Sequence, residues 1–167
     1  MKFARWTLVA AVACIGTAAQ AQPIERIYGA NAASPIAAAV TVPPGYTTYY
    51  ISGALPAAIT LAADGKPAVY GDMTQQTRSV LDSLKATMAK LGVGFGDVVA
   101  AHVFLDPGAD FAAMNAVWAT EFGTPTQPNK PARAAFRANA LVAPGALLEI
   151  EFIAAKKVTA KAAVKKK

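Results

Sequence analysis

Cysteine is all but missing from this chain: the single one, Cys14, sits in an apolar stretch near the N-terminus, so the body of the protein cannot staple itself with a disulfide. Its stability has to come from packing. Histidine is equally scarce. With His102 alone, neither a histidine-based metal site nor a Ser-His-Asp triad has support, and no metal is expected. His102 reads as an ordinary strand residue. Long hydrophobic runs are absent as well: Trp6 to Ala19 is the longest apolar stretch, and it is too short and too poor in leucine for a transmembrane anchor. No membrane span is expected. Glycines do alternate at Gly92, Gly94 and Gly96, but after a helix and before a strand, the reverse of a phosphate-cradling loop.

Positive charge is present but misplaced for a nucleic-acid binder. Of the formal +6, Lys2 and Arg5 supply two charges and the tail lysines Lys156, Lys157, Lys161, Lys165, Lys166 and Lys167 supply six, which leaves −2 on the body between them. RNA affinity depends on neutralised phosphates, so no nucleic acid partner is expected. Residues 156–167, a lysine-alanine tail without aromatics, read as a disordered extension with at most a weak contact to anionic surfaces.

Residues 1–21 read as a secretory signal: Lys2 and Arg5 precede the apolar run, and Ala19-Gln20-Ala21 fits small-x-small cleavage. The mature chain would begin at Gln22 and act in the periplasm or outside the cell. The rival reading, lipid attachment at Cys14, is disfavoured by Ala11 where leucine is usual and by a very short hydrophobic region. Residues 22–155 are one domain's worth of chain.

Within that domain, Thr47 to Gly53 and Ile59 to Ala63 read as two strands, set off by the turns Pro43-Pro44-Gly45 and Asp64-Gly65. Met73, Thr77, Val80, Leu81, Leu84, Met88 and Leu91 then recur at three and four, a helical stripe that Asp72 and Gln75 can cap and Gly92 can end. Asp97 to Leu105 reads as a buried strand. Asp110 caps a second helix whose Phe111, Met114, Trp118 and Phe122 share a face, stopped by Gly123. Ala132 to Asn139 and Ala146 to Ala154 read as adjacent strands joined through Pro144-Gly145. The order predicts a compact, single-domain α+β fold with two helices on one face of a mixed sheet.

Alternation puts Arg133 and Arg137 on one face of their strand and Glu149 and Glu151 on one face of the next, so the four are expected to meet on one surface. Spacing alone favours a solvent-facing ladder of ion pairs, each contributing about 0–1 kcal/mol, over a ligand site.

Six segments in order shift that balance. Ile51-Ser52-Gly53, the helix from Gln76 to Gly92, Gly96 to Leu105, Asp110 to Trp118, Pro131-Ala132-Arg133 and Leu148 to Ala154 together resemble the RidA/YjgF reactive-intermediate deaminase family. The resemblance implies a chorismate-mutase-like fold, a homotrimer and ligand sites in the clefts between subunits. It implies that Arg133 clamps a substrate carboxylate, that Ser52, Gly53 and Asn115 line the cleft, and that Glu149 positions or activates water. It implies hydrolysis of small 2-imino acids or their enamines to 2-oxo acids and ammonia, without a cofactor. Two alternatives stand beside it: a non-catalytic periplasmic trimer that binds small carboxylates or acts as a holdase, and the endoribonuclease activity attached to some family members. Three departures from the family's pattern are visible. Its tyrosine is Ile36 here, its cysteine two positions after the arginine is Ala135, and the loop between Arg133 and Glu149 is one residue longer.

Overall fold

The computed structural model describes residues 22–31 and 33–158; the signal-like segment, Cys14 and the tail from residue 159 lie outside the described residues. In chain order the elements are β1 (Glu25–Ile27), β2 (Ala39–Thr41), β3 (Tyr46–Ala54), α1 (Met73–Lys90), β4 (Val98–Leu105), α2 (Phe111–Trp118), β5 (Ala132–Arg137) and β6 (Leu148–Lys157).

Helix α1 forms where the stripe predicts it. Asp72 accepts the Gln75 backbone N–H and the Gln75 side chain accepts the Asp72 N–H, each at 2.9 Å, which satisfies two donors that the first turn cannot. Met73, Thr77, Val80, Leu81, Leu84 and Met88 are buried against the sheet, each large apolar side chain contributing about 1.5–3 kcal/mol by leaving water. Leu91, expected in the stripe, is exposed beyond the last turn. Gln76 is buried instead. Its amide nitrogen donates to Gly71 and Gly145 carbonyls and its oxygen accepts from Leu147 N–H, tying the helix start to the turn before β6.

The main sheet runs β3-β6-β4-β5, with β4 and β5 parallel and the other pairs antiparallel. This corrects the expected adjacency of the last two strands: β4 lies between β5 and β6. The reason is the βα crossover. Helix α2 connects β4 to β5 and returns the chain parallel to β4, as parallel pairing requires, and β6 then fills the slot between β4 and β3. Both helices contact each other, α1 also packs on β3 and β6, and the core gathers between helices and sheet. At its centre Trp118 stacks on Phe122 at 4.4 Å and Phe122 on Phe95 at 5.2 Å, with Phe152 edge-on to all three. Phe122 thus reaches the core from beyond the end of α2, while Phe111 at the helix start stays exposed.

Three further expectations change. Ile59–Ala63 is not a strand of the sheet: it folds back on itself through the bridges Thr60–Val69 and Ala63–Lys66 around Asp64 and Gly65, both at positive φ. Ile59 and Leu61 stay exposed, so apolar content there does not mark a packed face. The paired strands β1 and β2 were not anticipated, three residues being too few to display alternation. And β6 continues to Lys157, so the first two lysines assigned to the tail belong to the sheet; Lys156 donates to the Gly92 carbonyl and lies 4.0 Å from Asp97.

Candidate active site

Cross-strand registers fix which way each polar side chain leaves the sheet, because paired residues share a face. Arg133 pairs with Ala101, and Ala101 with Phe152, a core residue under the helices. Arg133 therefore points to the helix side. Glu149 pairs with Phe104, which pairs with Phe136 and meets its ring edge-on at 4.9 Å; that row points to the open side, away from the helices. Glu151 shares the open face with His102, at 2.6 Å. The four charges expected to meet on one surface are thus divided, arginines on one face and glutamates on the other. No ladder of arginine–glutamate pairs exists among the described residues.

The two arginines also differ from each other. Arg137 spends its guanidinium on the carbonyls of Asp106, Pro107 and Ala109, at 2.7–3.1 Å, and so fastens the loop that leads into α2. It is structural. Among the described residues Arg133 donates to Asn115 Oδ1 at 2.7 Å and otherwise has the Met114 sulfur at 4.0 Å and the ring faces of Trp118 and Phe111, 4.6 and 5.7 Å from its guanidinium carbon. No carboxylate within ion-pair distance balances it among the described residues. Burial lowers its pKa from the ordinary arginine range to about 10, which still leaves it charged at neutral pH.

A cleft of about 480 Å³ opens beside it, lined by Arg133, Asn115, Ala112, Ala116, Ala119 and the segment holding Ser34, Pro35 and Ile36. Local bonds hold both walls. Asp110 caps α2 by accepting from Ala112 and Ala113 N–H, and Trp118 Nε1 donates to the Pro35 carbonyl at 3.1 Å, clamping the opposite segment over the helix. Ala37 then bridges to Ala132 at the start of β5. A second cleft, about 430 Å³, lies beside Lys85, Phe95 and Glu121. There the charges are already matched, since Glu121 binds Arg78 at 2.5 Å and lies 3.9 Å from Lys85.

Of the residues expected at a site, Arg133 and Asn115 come together on the helix side. Ser52 and Gly53 lie in the bulge of β3 between Ile51 and Ala54, and Gly53 touches Glu149: a Cβ built on Gly53 would stand 2.0 Å from Glu149 Oε1. Glu149 and Gly53 are thus apart from Arg133 and Asn115, and Ser52 and Gly53 also line a cleft of about 360 Å³ with Ser83, Leu84 and Thr87 of α1. Trp118 and Phe111, read from the sequence only as core, prove to be the aromatic walls of Arg133. The signal was available in the spacing, since Phe111, Asn115 and Trp118 fall at helical positions i, i+4 and i+7 and so share one face.

The chain matches the family model described as Endoribonuclease L-PSP over residues 30–156. It is 33% identical over 132 residues to the 3-aminoacrylate deaminase RutC of Acinetobacter baylyi, covering 79% of this chain and 98% of that protein. A RutC family protein of Pyrococcus horikoshii is 42% identical over 88 residues, which span 53% of this chain and 66% of the relative. Among solved structures, YyfB of Yersinia pestis, a Rid family protein of unknown function, shares the fold with a TM-score of 0.60 at 24% identity, covering 78% of this chain and 97% of its own.

Proposed function

The chain belongs to the RidA/YjgF family, the endoribonuclease L-PSP group, and from that premise we propose that it hydrolyses small 2-imino acids, or their enamine tautomers, to 2-oxo acids and ammonia. The observation that carries this reading is Arg133: a half-buried guanidinium that opens onto a cleft, braced by Asn115 and two aromatic faces, without a carboxylate partner among the described residues. A protein does not leave a cation in such a place for stability, because the desolvation is uncompensated until an anion arrives. A substrate carboxylate supplies that anion in the bidentate geometry a guanidinium suits.

The reaction asks little more. The protonated imine carbon is electrophilic; a base removes a proton from water as its oxygen bonds to that carbon and returns it to the amine nitrogen of the resulting carbinolamine. That nitrogen leaves as ammonia as the hydroxyl gives up its proton and the carbon–oxygen double bond forms. Positioning and one proton-transfer group suffice. The Arg133 cleft contains no acid or base among its described lining residues. Glu149 is the fitting one, but it leaves the opposite face of the same sheet, and a molecule of a few heavy atoms cannot touch both. This supports a homotrimer in which the Arg133 cleft of one subunit is completed by Glu149, with Ser52 and Gly53, of another. A second reading, carboxylate binding without turnover, draws on Ile36 in the cleft wall and Ala135 beside Val103, where the family has tyrosine and cysteine.

The test generates 2-iminopropanoate or 2-iminobutanoate in situ with an amino-acid oxidase and follows its loss. The protein is expected to accelerate hydrolysis well above buffer. No acceleration, with 2-oxo acid binding still visible by calorimetry, would establish the second reading instead.

The lowered pKa of Arg133 gives the site a pH signature. An anion binds the protonated guanidinium, so affinity is kept below the folded pKa of about 10 and lost as pH rises through it. Calorimetry with pyruvate is expected to give a flat affinity from about pH 7 to 9 and roughly tenfold weaker binding by about pH 11. An affinity unchanged over that range would mean the anchor lies elsewhere.

A further inference from the structure

Resting on the deaminase reading, we infer that the cleft selects 2-imino monocarboxylates with aliphatic side chains of three or four carbons over the alanine- and glutamate-derived ones. Arg133 and Asn115 fix one end of the ligand. What lies beyond them is mostly apolar and thin-walled: Ala112, Ala116 and Ala119 on the helix side, Ala33, Pro35 and Ile36 on the other, with Asn31 and Ser34 as the remaining polar side chains. The three alanines are exposed to the cleft and stop at Cβ, so the space a larger residue would fill stays open to the ligand. The cleft is open, and its volume of about 480 Å³ leaves room for a branched aliphatic side chain beside the carboxylate.

The wall also lacks what a charged side chain needs. No second lysine or arginine lines the cleft among the described residues, and Glu149, Ser52 and Gly53, proposed to enter from another subunit, bring no cation. The Ser34 hydroxyl faces its own chain at Ile36 O, 3.5 Å away, and Asn31 Oδ1 accepts from Ala33 N–H. A distal carboxylate would lose water there and gain no counter-charge, whereas each methylene that slides over alanine and isoleucine leaves water favourably. A wall of this kind discriminates modestly for each added carbon, so the expected preference for a leucine-derived over an alanine-derived substrate is about tenfold.

The experiment compares catalytic efficiencies for imino acids generated in situ from alanine, 2-aminobutyrate, leucine and glutamate, and in parallel the affinities for the corresponding 2-oxo acids. Wild type is expected to prefer the leucine-derived member by about tenfold in both series and to rank the glutamate-derived one last. In Ala116→Leu the leucine-to-alanine ratio should fall to about one, because the new side chain occupies the channel; Ala86→Leu, on the solvent face of α1, should keep the wild-type ratio. Equal or reversed preference in wild type, or an Ala116→Leu ratio that stays near ten, would overturn the inference. If nothing is turned over, the deaminase reading fails alone, since the affinity series still decides the selectivity.

Discussion

Arg133→Met is expected to weaken 2-oxo acid binding by about 10–100-fold, to bring imine hydrolysis down to the buffer rate, and at the same time to make the protein more stable. The binding loss follows from the bond removed: a charge-assisted hydrogen bond of this kind contributes about 1.5–3 kcal/mol. The gain in stability follows from what surrounds the guanidinium in the free protein. Asn115, Met114, Phe111 and Trp118 supply one good hydrogen bond and ring faces, but no counter-charge. Methionine keeps the volume against those rings and removes the cation, so Tm should rise by about 2–4 °C. The sign of the pH dependence is fixed. Because burial lowers the folded pKa to about 10, below that of the unfolded chain, the folded state bears its penalty below pH 10, and the penalty fades as pH climbs from there toward the ordinary arginine range. The stabilisation by Arg133→Met should therefore be full at neutral pH and shrink above pH 10. A melting temperature that falls in the variant would show that Arg133 holds the fold together, and the ligand-anchor reading would lose its basis. Arg133→Lys is no conservative control, since an ammonium lacks both the fork and the planar stacking surface.

The sequence displayed those features of the fold that local physics determines. The capping box of Asp72 and Gln75, the stripe from Met73 to Met88 and the Asp110 cap are all decided within a few residues, and all were legible. Strand alternation also paired Arg133 with Arg137 correctly on one face, as their shared contacts with the α2 side show. What alternation cannot supply is the identity of the neighbouring strand. The parallel partnership of β4 and β5 comes from the path of the chain through α2, and it takes the arginines off the expected surface: they face the helices, while the glutamates stay on the open side. Polarity misled for the same reason. A row of arginines looks solvent-facing, yet β5 is an edge strand with little burial along its length, so long side chains on its helix face reach out beside α2 rather than under it. Gln76 was not legible, because a glutamine within a helical stripe gives no sign that the Gly71 carbonyl just before the helix and two backbone groups of the distant turn at Gly145 and Leu147 converge on it.

That division of charges makes the catalytic half of the proposal testable by mixing two inactive proteins. Glu149→Gln keeps the shape of the side chain and removes its capacity as a base; 2-oxo acid affinity should stay within about twofold while turnover falls about 10²–10⁴-fold. Gly53→Ala should act on the same step by another route. Its new Cβ would come within 2.0 Å of Glu149 Oε1, and the obstructing atom is the end of a flexible side chain, so the carboxylate moves and the strand does not. Turnover should drop tenfold or more with little change in Tm or KM, and the double variant Gly53→Ala with Glu149→Gln should be no worse than Glu149→Gln alone, as for residues that act through one group. Arg133→Ala and Glu149→Gln are then each inactive for opposite reasons, one lacking the anchor and the other the base. If a single cleft draws the anchor from one subunit and the base from the next, co-refolding the two variants in equal amounts rebuilds intact clefts. Random assembly gives an intact pair at about one interface in four, so about a quarter of wild-type activity should return. Simple mixing without refolding should recover less. If the co-refolded mixture contains hybrid trimers by mass spectrometry and still shows no activity, Arg133 and Glu149 do not share a cleft across subunits.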